Sequence, residues 1–289
     1  MPAISGRLQT VTNLPTPERD PFSKERADKP GPRAIAEASP IETTAGDLAP
    51  AAVYDEAVRR YQAGMWRARV FHALVMRDIM SRPEPTVLDI GCGKGFDGDR
   101  KLAATLASSS NRYLGIEPDE SVVVQPIFSR VYHAMFEQAA IEAESVDVAF
   151  CVMVLEHIKE PKPFIEQLHR ILRPGGVFWG FTVDTRHWFP LVSTVADRLR
   201  VKELYLSWTR GERGADRYEN YPVYYRMNNP GDVLPLTEMF SSHTFINFYR
   251  PGQLDFYYGS ALRPVGRALE RISHCCGVPG ALLAIRLQK

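Results

Sequence analysis

The chain has 289 residues, 45% apolar and 24% charged, which is enough for a buried core and for one or two domains. Lys and Arg number 35 against 34 Asp and Glu, a formal charge of +1, so no general attraction to a phosphate backbone exists and dedicated nucleic-acid binding is not favoured. Four cysteines (Cys92, Cys151, Cys275, Cys276) are too few for a disulfide scaffold and read as reduced thiols of a cytoplasmic protein. No transmembrane segment is expected: the most apolar window, Val146 to Leu155, is about ten residues long and holds Asp147, where a span needs about 20. Arg7, Arg19 and Asp20 likewise interrupt any signal-peptide core.

In chain order, residues 1–49 read as a disordered leader. Eight of the 22 prolines fall in the first 50 residues, charges of both signs are scattered, and no apolar periodicity appears. From Ala52 to about Met80, residues such as Val53, Ala57, Tyr61, Val70 and Leu74 recur near helical spacing, with Gly64 as a dividing point and Ser81-Arg82-Pro83 as the stop. Then the period changes. Thr86 to Ile90, Arg112 to Ile116, Val146 to Val152 and Val177 to Val183 predict strands, and helices are expected over about Asp99 to Ser108, Ser121 to Phe128 and Pro163 to Leu172. Strands alternating with helices predict an α/β fold, a doubly wound and mostly parallel sheet. The continuous run Val148-Ala149-Phe150-Cys151-Val152 suits a strand buried on both faces. Beyond Val183 the alternation lapses through an aromatic-rich stretch, read as a lid over residues 184–240 inserted in a domain spanning 50–289. A helix near Gly231 to Phe240 and strands at Thr244 to Tyr249 and Ala281 to Leu287 complete the reading.

Three motifs carry chemistry. Val87-Leu88-Asp89-Ile90-Gly91-Cys92-Gly93-Lys94-Gly95 is a strand running into alternating glycines, a tight turn whose backbone can approach a ligand at the carboxyl end of the strand. Read from Gly93, the chain also satisfies GxGxxG, but that frame starts beyond the strand end, and the alternating-glycine frame fits better. Tyr113-Leu114-Gly115-Ile116-Glu117 ends a second strand in an acid able to accept both hydroxyls of a ribose, the structural alternative being a helix cap. The third motif runs from Ser145 through Leu155-Glu156-His157 and is followed by Leu172-Arg173-Pro174-Gly175-Gly176.

Together these motifs resemble the class I S-adenosylmethionine-dependent methyltransferases, in the branch related to ubiquinone and menaquinone biosynthesis, over about Pro85 to Val183. The resemblance implies a seven-stranded Rossmann-like sheet and S-adenosyl-L-methionine as cofactor. It implies Gly91, Cys92, Gly93 and Gly95 at the methionine end, with Asp89 on nearby backbone or the amino group. It implies Glu117 on the ribose, Pro118 beside the adenine, and Cys151 to Met153 flanking the sulfonium. Relatives usually carry an Asp at the adenine amino group; Met135 stands there in this chain, and Glu137 or Gln138 is the expected substitute.

A hydroxyl acceptor must lose a proton, and histidine is the usual base near neutral pH. His157, just past the fourth strand, and His187, just past the fifth and oriented by Asp184, are the candidate catalytic residues. The structural alternatives are a local hydrogen bond for His157 and packing beside Trp188 for His187. The run Tyr221-Pro222-Val223-Tyr224-Tyr225-Arg226-Met227-Asn228 looks like a stretch of bacterial methyltransferases of polysaccharide or glycolipid assembly. The expected reaction is methyl transfer to a hydroxyl oxygen of a small-molecule or glycan/glycolipid acceptor. Beside it stand an NAD(P)-dependent oxidoreductase using the Gly93 frame, methyl transfer to carbon or nitrogen of a quinone-like or natural-product acceptor, and a binding module without turnover. A homodimer is allowed. No metal is expected, because Cys275-Cys276 lacks a second ligand pair at metal spacing.

Overall fold

The computed structural model describes residues 50–198, 221–255 and 262–289; the expected leader and part of the expected lid lie outside the described residues. Helices α1 (Pro50–Gln62) and α2 (Arg67–Met80) part at Gly64, whose φ of +101° is a conformation glycine adopts without Cβ strain. Val70, Phe71, Leu74 and Val75 give α2 its buried stripe. Then follow β1 (Thr86–Ile90), α3 (Arg100–Ser108), β2 (Arg112–Ile116), β3 (Arg130–Tyr132), β4 (Val146–Val152), α4 (Pro161–Ile171), β5 (Leu172–Val183) and α5 (Trp188–Arg198). A single turn, α6 (Pro230–Val233), precedes β6 (Ser242–Phe248), α7 (Arg263–Cys275) and β7 (Leu282–Gln288).

The strands form one sheet in the order β3-β2-β1-β4-β5-β7-β6. Strands β1 to β5 are parallel, while β7 runs antiparallel between β5 and β6, pairing Leu282 with Val183 on one side and Phe248 on the other. The strand order reverses between β1 and β4, so a crevice opens there at the carboxyl ends. Alternation along each strand divides the core between the two faces. Leu88, Ile90, Ala149 and Cys151 pack against α4 through Phe164, Ile165 and Leu168. Val87, Val148 and Phe150 face α1 to α3 on the other side. Phe71 of α2 stacks on Phe181 of β5 at 4.3 Å. Each such buried ring contributes about 1.5–3 kcal/mol, which is what clamps the helices over the sheet and fixes its rim.

The expected elements differ from the observed ones at specific places. No helix forms over 121–128, because Pro126 and three consecutive valines oppose it. Instead the Asp119 carboxylate accepts from the backbone and hydroxyl of Ser121. The helix expected near Gly231 to Phe240 is cut to α6 and a 3-10 turn at Leu234–Leu236, with Pro235 inside it. Strand β5 begins five residues earlier than expected, and β3, α5 and α7 were not foreseen.

Candidate functional site

The crevice is built from the loops that leave the carboxyl ends of β1, β2, β4 and β5. In the β1 loop Gly91 and Gly95 take φ of +82° and +94°. Gly91 and Cys92 both donate backbone N–H to the Ile116 carbonyl, at 2.9 and 3.0 Å, so the turn is stapled to the end of β2. A Cβ on Gly91 would lie 2.6 Å from Val154 Cγ2, so this turn also packs directly against the loop after β4. Gly93 is buried, and its N–H donates to Glu117 Oε2 at 3.1 Å. Glu117 Oε1 accepts from Asp119 N–H at 3.1 Å, so one carboxylate organises both the glycine turn and the turn after β2.

Asp89 lies beneath that turn with the Tyr113 hydroxyl donating to Oδ2 at 3.1 Å. Burial pushes its carboxyl up to about 7, the Tyr113 hydrogen bond opposing and the Glu117 charge adding to the rise. Burial also raises the Glu117 carboxyl, against the two backbone hydrogen bonds. Cys92 is buried, and a Cβ at Gly115 would meet its sulfur at 2.7 Å, so it can meet a ligand only through its backbone. Pro118 is exposed beside this carboxylate. Glu137 is half-buried on a 3-10 turn (Phe136–Gln138) that follows β3 and is anchored by buried Phe136, while Met135 is exposed.

At the end of β4 two of the expected residues separate. Cys151 is fully buried within the core beneath the crevice, so its thiol does not flank a ligand there; strand alternation turns it inward. Met153 is half-buried with φ +55°, a left-handed conformation held by its N–H donating to Phe181 O at 2.8 Å. The chain then turns through Leu155–His157.

The two histidines are set up in opposite ways. His157 Nδ1 lies 3.0 Å from the Pro222 carbonyl, which can only accept, so in the neutral ring the proton is on Nδ1 and the lone pair on Nε2. Tyr221 packs on this ring at 6.0 Å between centroids. His187 is buried, and its Nδ1 accepts the Phe189 N–H at 3.1 Å, so in the neutral ring the proton is on Nε2. That bond makes His187 the N-cap of α5. Burial lowers its pKa to about 4, the Asp184 charge opposing. Asp184 does not orient the ring. Its carboxylate is occupied by the Arg186 guanidinium at 2.7 and 3.0 Å and by Asn247 Nδ2 at 2.9 Å.

Beneath His157 lies a buried polar chain that the sequence reading did not single out. Asn228 Nδ2 donates to Thr182 Oγ1 at 2.6 Å, and Thr182 donates to Glu156 Oε2 at 2.9 Å. Burial raises the Glu156 carboxyl, opposed by the His157 and Arg67 charges. The Glu156 carbonyl accepts from Tyr224 and Tyr225 N–H, at 2.8 and 3.2 Å. The strap from Tyr221 to Asn228 is therefore fastened to the β4 end, and at its start the Tyr221 hydroxyl reaches Asp119 Oδ2 at 3.4 Å. Arg67 at the start of α2 makes a bidentate pair with Asp97 in the loop after β1, at 2.7 and 2.8 Å.

A sheet of this strand order, with a glycine turn after β1 and an acid at the end of β2, defines a Rossmann-like domain of the class I methyltransferase type. Residues 88–180 match the family model described as a methyltransferase domain. In its sequence motifs and its sheet, this part of the chain is similar to class I methyltransferase domains. Among curated sequences, the chain is 31% identical over 122 residues to the "Probable S-adenosylmethionine-dependent methyltransferase" of Mycolicibacterium smegmatis, covering 41% of this chain and 46% of that protein. It is 27% identical over 114 residues to the ubiquinone biosynthesis O-methyltransferase of Histophilus somni, covering 35% and 46%. The match thus spans less than half the length of either relative. Among solved structures, a SAM dependent methyltransferase from Archaeoglobus fulgidus aligns with a TM-score of 0.48 at 13% identity, over 82% of this chain and all of that one. Among the described residues no helix is long and apolar enough to cross a membrane, and no cluster of His, Cys, Asp and Glu could hold a metal ion.

Proposed function

We propose that the chain is an S-adenosylmethionine-dependent methyltransferase that methylates a hydroxyl oxygen of a small-molecule or glycan/glycolipid acceptor, with His157 as base. The observation that carries this reading is the 3.0 Å contact of His157 Nδ1 with the Pro222 carbonyl, which in the neutral imidazole leaves the lone pair on Nε2. The donor set suits the cofactor. Glu117 has oxygen lone pairs left for a ribose diol after its two backbone bonds. Asp89, held near half-protonation at neutral pH by burial, would be relieved by a cationic amino group nearby. Gly91 and Gly95 keep the turn free of side chains, and Glu137 follows β3 at the adenine side.

The bound cofactor supplies an electrophilic methyl group. The protein's own part is to hold an acceptor in line with it and to take the acceptor's proton at His157 Nε2. The match to a ubiquinone biosynthesis O-methyltransferase supports oxygen as the methylated atom. His187 supports α5 and takes no proton. A nicotinamide reading gains no support. The Asp99 carboxylate caps α3, accepting from Lys101 and Leu102 N–H at 2.9 and 3.1 Å, the donors a pyrophosphate would require. The test is calorimetry and thermal melting with S-adenosylhomocysteine, NAD and NADP. Stabilisation by the first alone is expected, whereas stabilisation by a nicotinamide dinucleotide alone would overturn the reading.

A further inference from the structure

Helix α7 is thirteen residues long and has two buried residues, Gly266, which lets the backbone come close, and Glu270. Its fastening is polar: Glu270 accepts from the Gly252 and Leu254 N–H groups, Arg267 pairs with Asp255, and His274 stacks on Tyr249 at 3.6 Å. Four aliphatic side chains are left outside. Leu262, Val265, Leu269 and Ile272 are 53%, 66%, 47% and 62% exposed and recur at three- and four-residue spacing, so they share one face. Arg263, Arg267 and Arg271 recur every fourth residue on another. A helix with one aliphatic face, an arginine-rich polar face and low overall hydrophobicity has the pattern of a segment that lies in the plane of a membrane surface.

The position of α7 strengthens the case. Strand β6 runs parallel to β5, so the β6–β7 connection that contains α7 leaves from the same carboxyl rim as the crevice. Exposed Trp66, just before α2, and exposed Leu191 and Val192, in the first five residues of α5, stand on that rim too. We propose that α7 seats the crevice rim on an anionic phospholipid bilayer, the aliphatic face entering the headgroup layer and Arg263 and Arg271 engaging lipid phosphates. A second copy of the chain fits less well. A stripe along a helix about 20 Å long falls short of the roughly 800 Å² per partner that a stable dimer buries. The inference stands independently of methyl transfer.

The experiment is flotation of the full chain with vesicles of phosphatidylcholine plus phosphatidylglycerol, and with phosphatidylcholine alone. The protein is expected to float with the anionic vesicles only, and less so as salt is raised. Leu269→Glu with Ile272→Glu should lower the vesicle-bound fraction at least about tenfold with an unchanged thermal melt. Should those glutamates disturb the fold, Leu269→Ser with Ile272→Ser reads the same face more gently. Arg263→Glu with Arg271→Glu should remove the preference for anionic lipid. The proposal is overturned if the wild type stays in the vesicle-free fraction, or if folded variants float as well as it does. It is equally overturned if the protein is a dimer that ignores vesicles and that the same substitutions dissociate.

Discussion

Replacing Glu117 separates a ligand-binding role from a structural one. In the structure its two oxygens already accept from Gly93 and Asp119 N–H, each at 3.1 Å. A carboxylate has about four lone-pair sites, so about one remains on each oxygen for a ribose hydroxyl. Glu117→Ala removes both kinds of bond. Loss of the two ribose contacts should weaken S-adenosylhomocysteine by about 1.5–3 kcal/mol, roughly ten- to a hundredfold in Kd. Two opposing effects act on the fold. Freeing two backbone donors costs about 1–2 kcal/mol, while deleting a carboxyl whose ionised form burial disfavours returns part of that. The apo protein should therefore melt close to the wild type. Glu117→Gln keeps the shape, but its NH₂ must face one of the two N–H donors, so an intermediate loss of affinity is expected. Calorimetry on both variants, beside melts without ligand, makes the comparison. A folded Glu117→Ala protein that bound the ligand as tightly as the wild type would refute the placement of the ribose.

Asp89, at about 7 in the folded apo protein, lies above its unfolded value, so it favours folding at low pH, and this contribution fades as pH rises from about 4 to about 7. If it faces the cofactor's cationic amino group, affinity for S-adenosylhomocysteine should fall as pH drops below about 7, approaching tenfold per unit; a flat profile across that window, measured by calorimetry, would exclude the contact. His157→Ala should lower turnover by about 10²–10⁴ with cofactor affinity nearly unchanged. His187→Ala should instead leave the pH profile of turnover intact and cost about 1–2 kcal/mol in stability, as expected for a helix cap; the reverse outcome would exchange their roles. Gly91→Ala puts a Cβ 2.6 Å from Val154 at φ +82° and should destabilise by about 1–3 kcal/mol, read by thermal melting. A melt equal to the wild type would show that the turn relaxes without cost.

The sheet was legible where burial on both faces produces continuous apolar runs, and β1, β2 and β4 have the expected boundaries. Strand β3 was not, because three edge residues with partial exposure carry no such run. Helix α7 escaped because its aliphatic residues face away from the body, so its periodicity points to no core contact. At the site, Asp89, Gly93 and Glu117 were readable from strand-end position. The pairing of Asp184 with Arg186 and Asn247, and the Glu156–Thr182–Asn228 chain, join residues up to 72 positions apart and required the fold. The tautomers of His157 and His187 depend on one carbonyl and one N–H, neither of which a residue type can encode.

The insertion of β7 between β5 and β6 also dictates an order of assembly. Among the described residues, strand β6 has its only sheet neighbour in β7, whose residues are made some 34 positions after β6 ends. During synthesis, β1 to β5 can associate as soon as they emerge, but β6 must wait as an unpaired strand until Leu282–Gln288 has left the ribosome. Its apolar side chains Phe245, Ile246 and Phe248 stay exposed for that interval, an opportunity for edge-to-edge association with other nascent chains. The half of the sheet that carries Asp89, Glu117 and His157 can thus form early, while its far edge closes only with the final residues of β7.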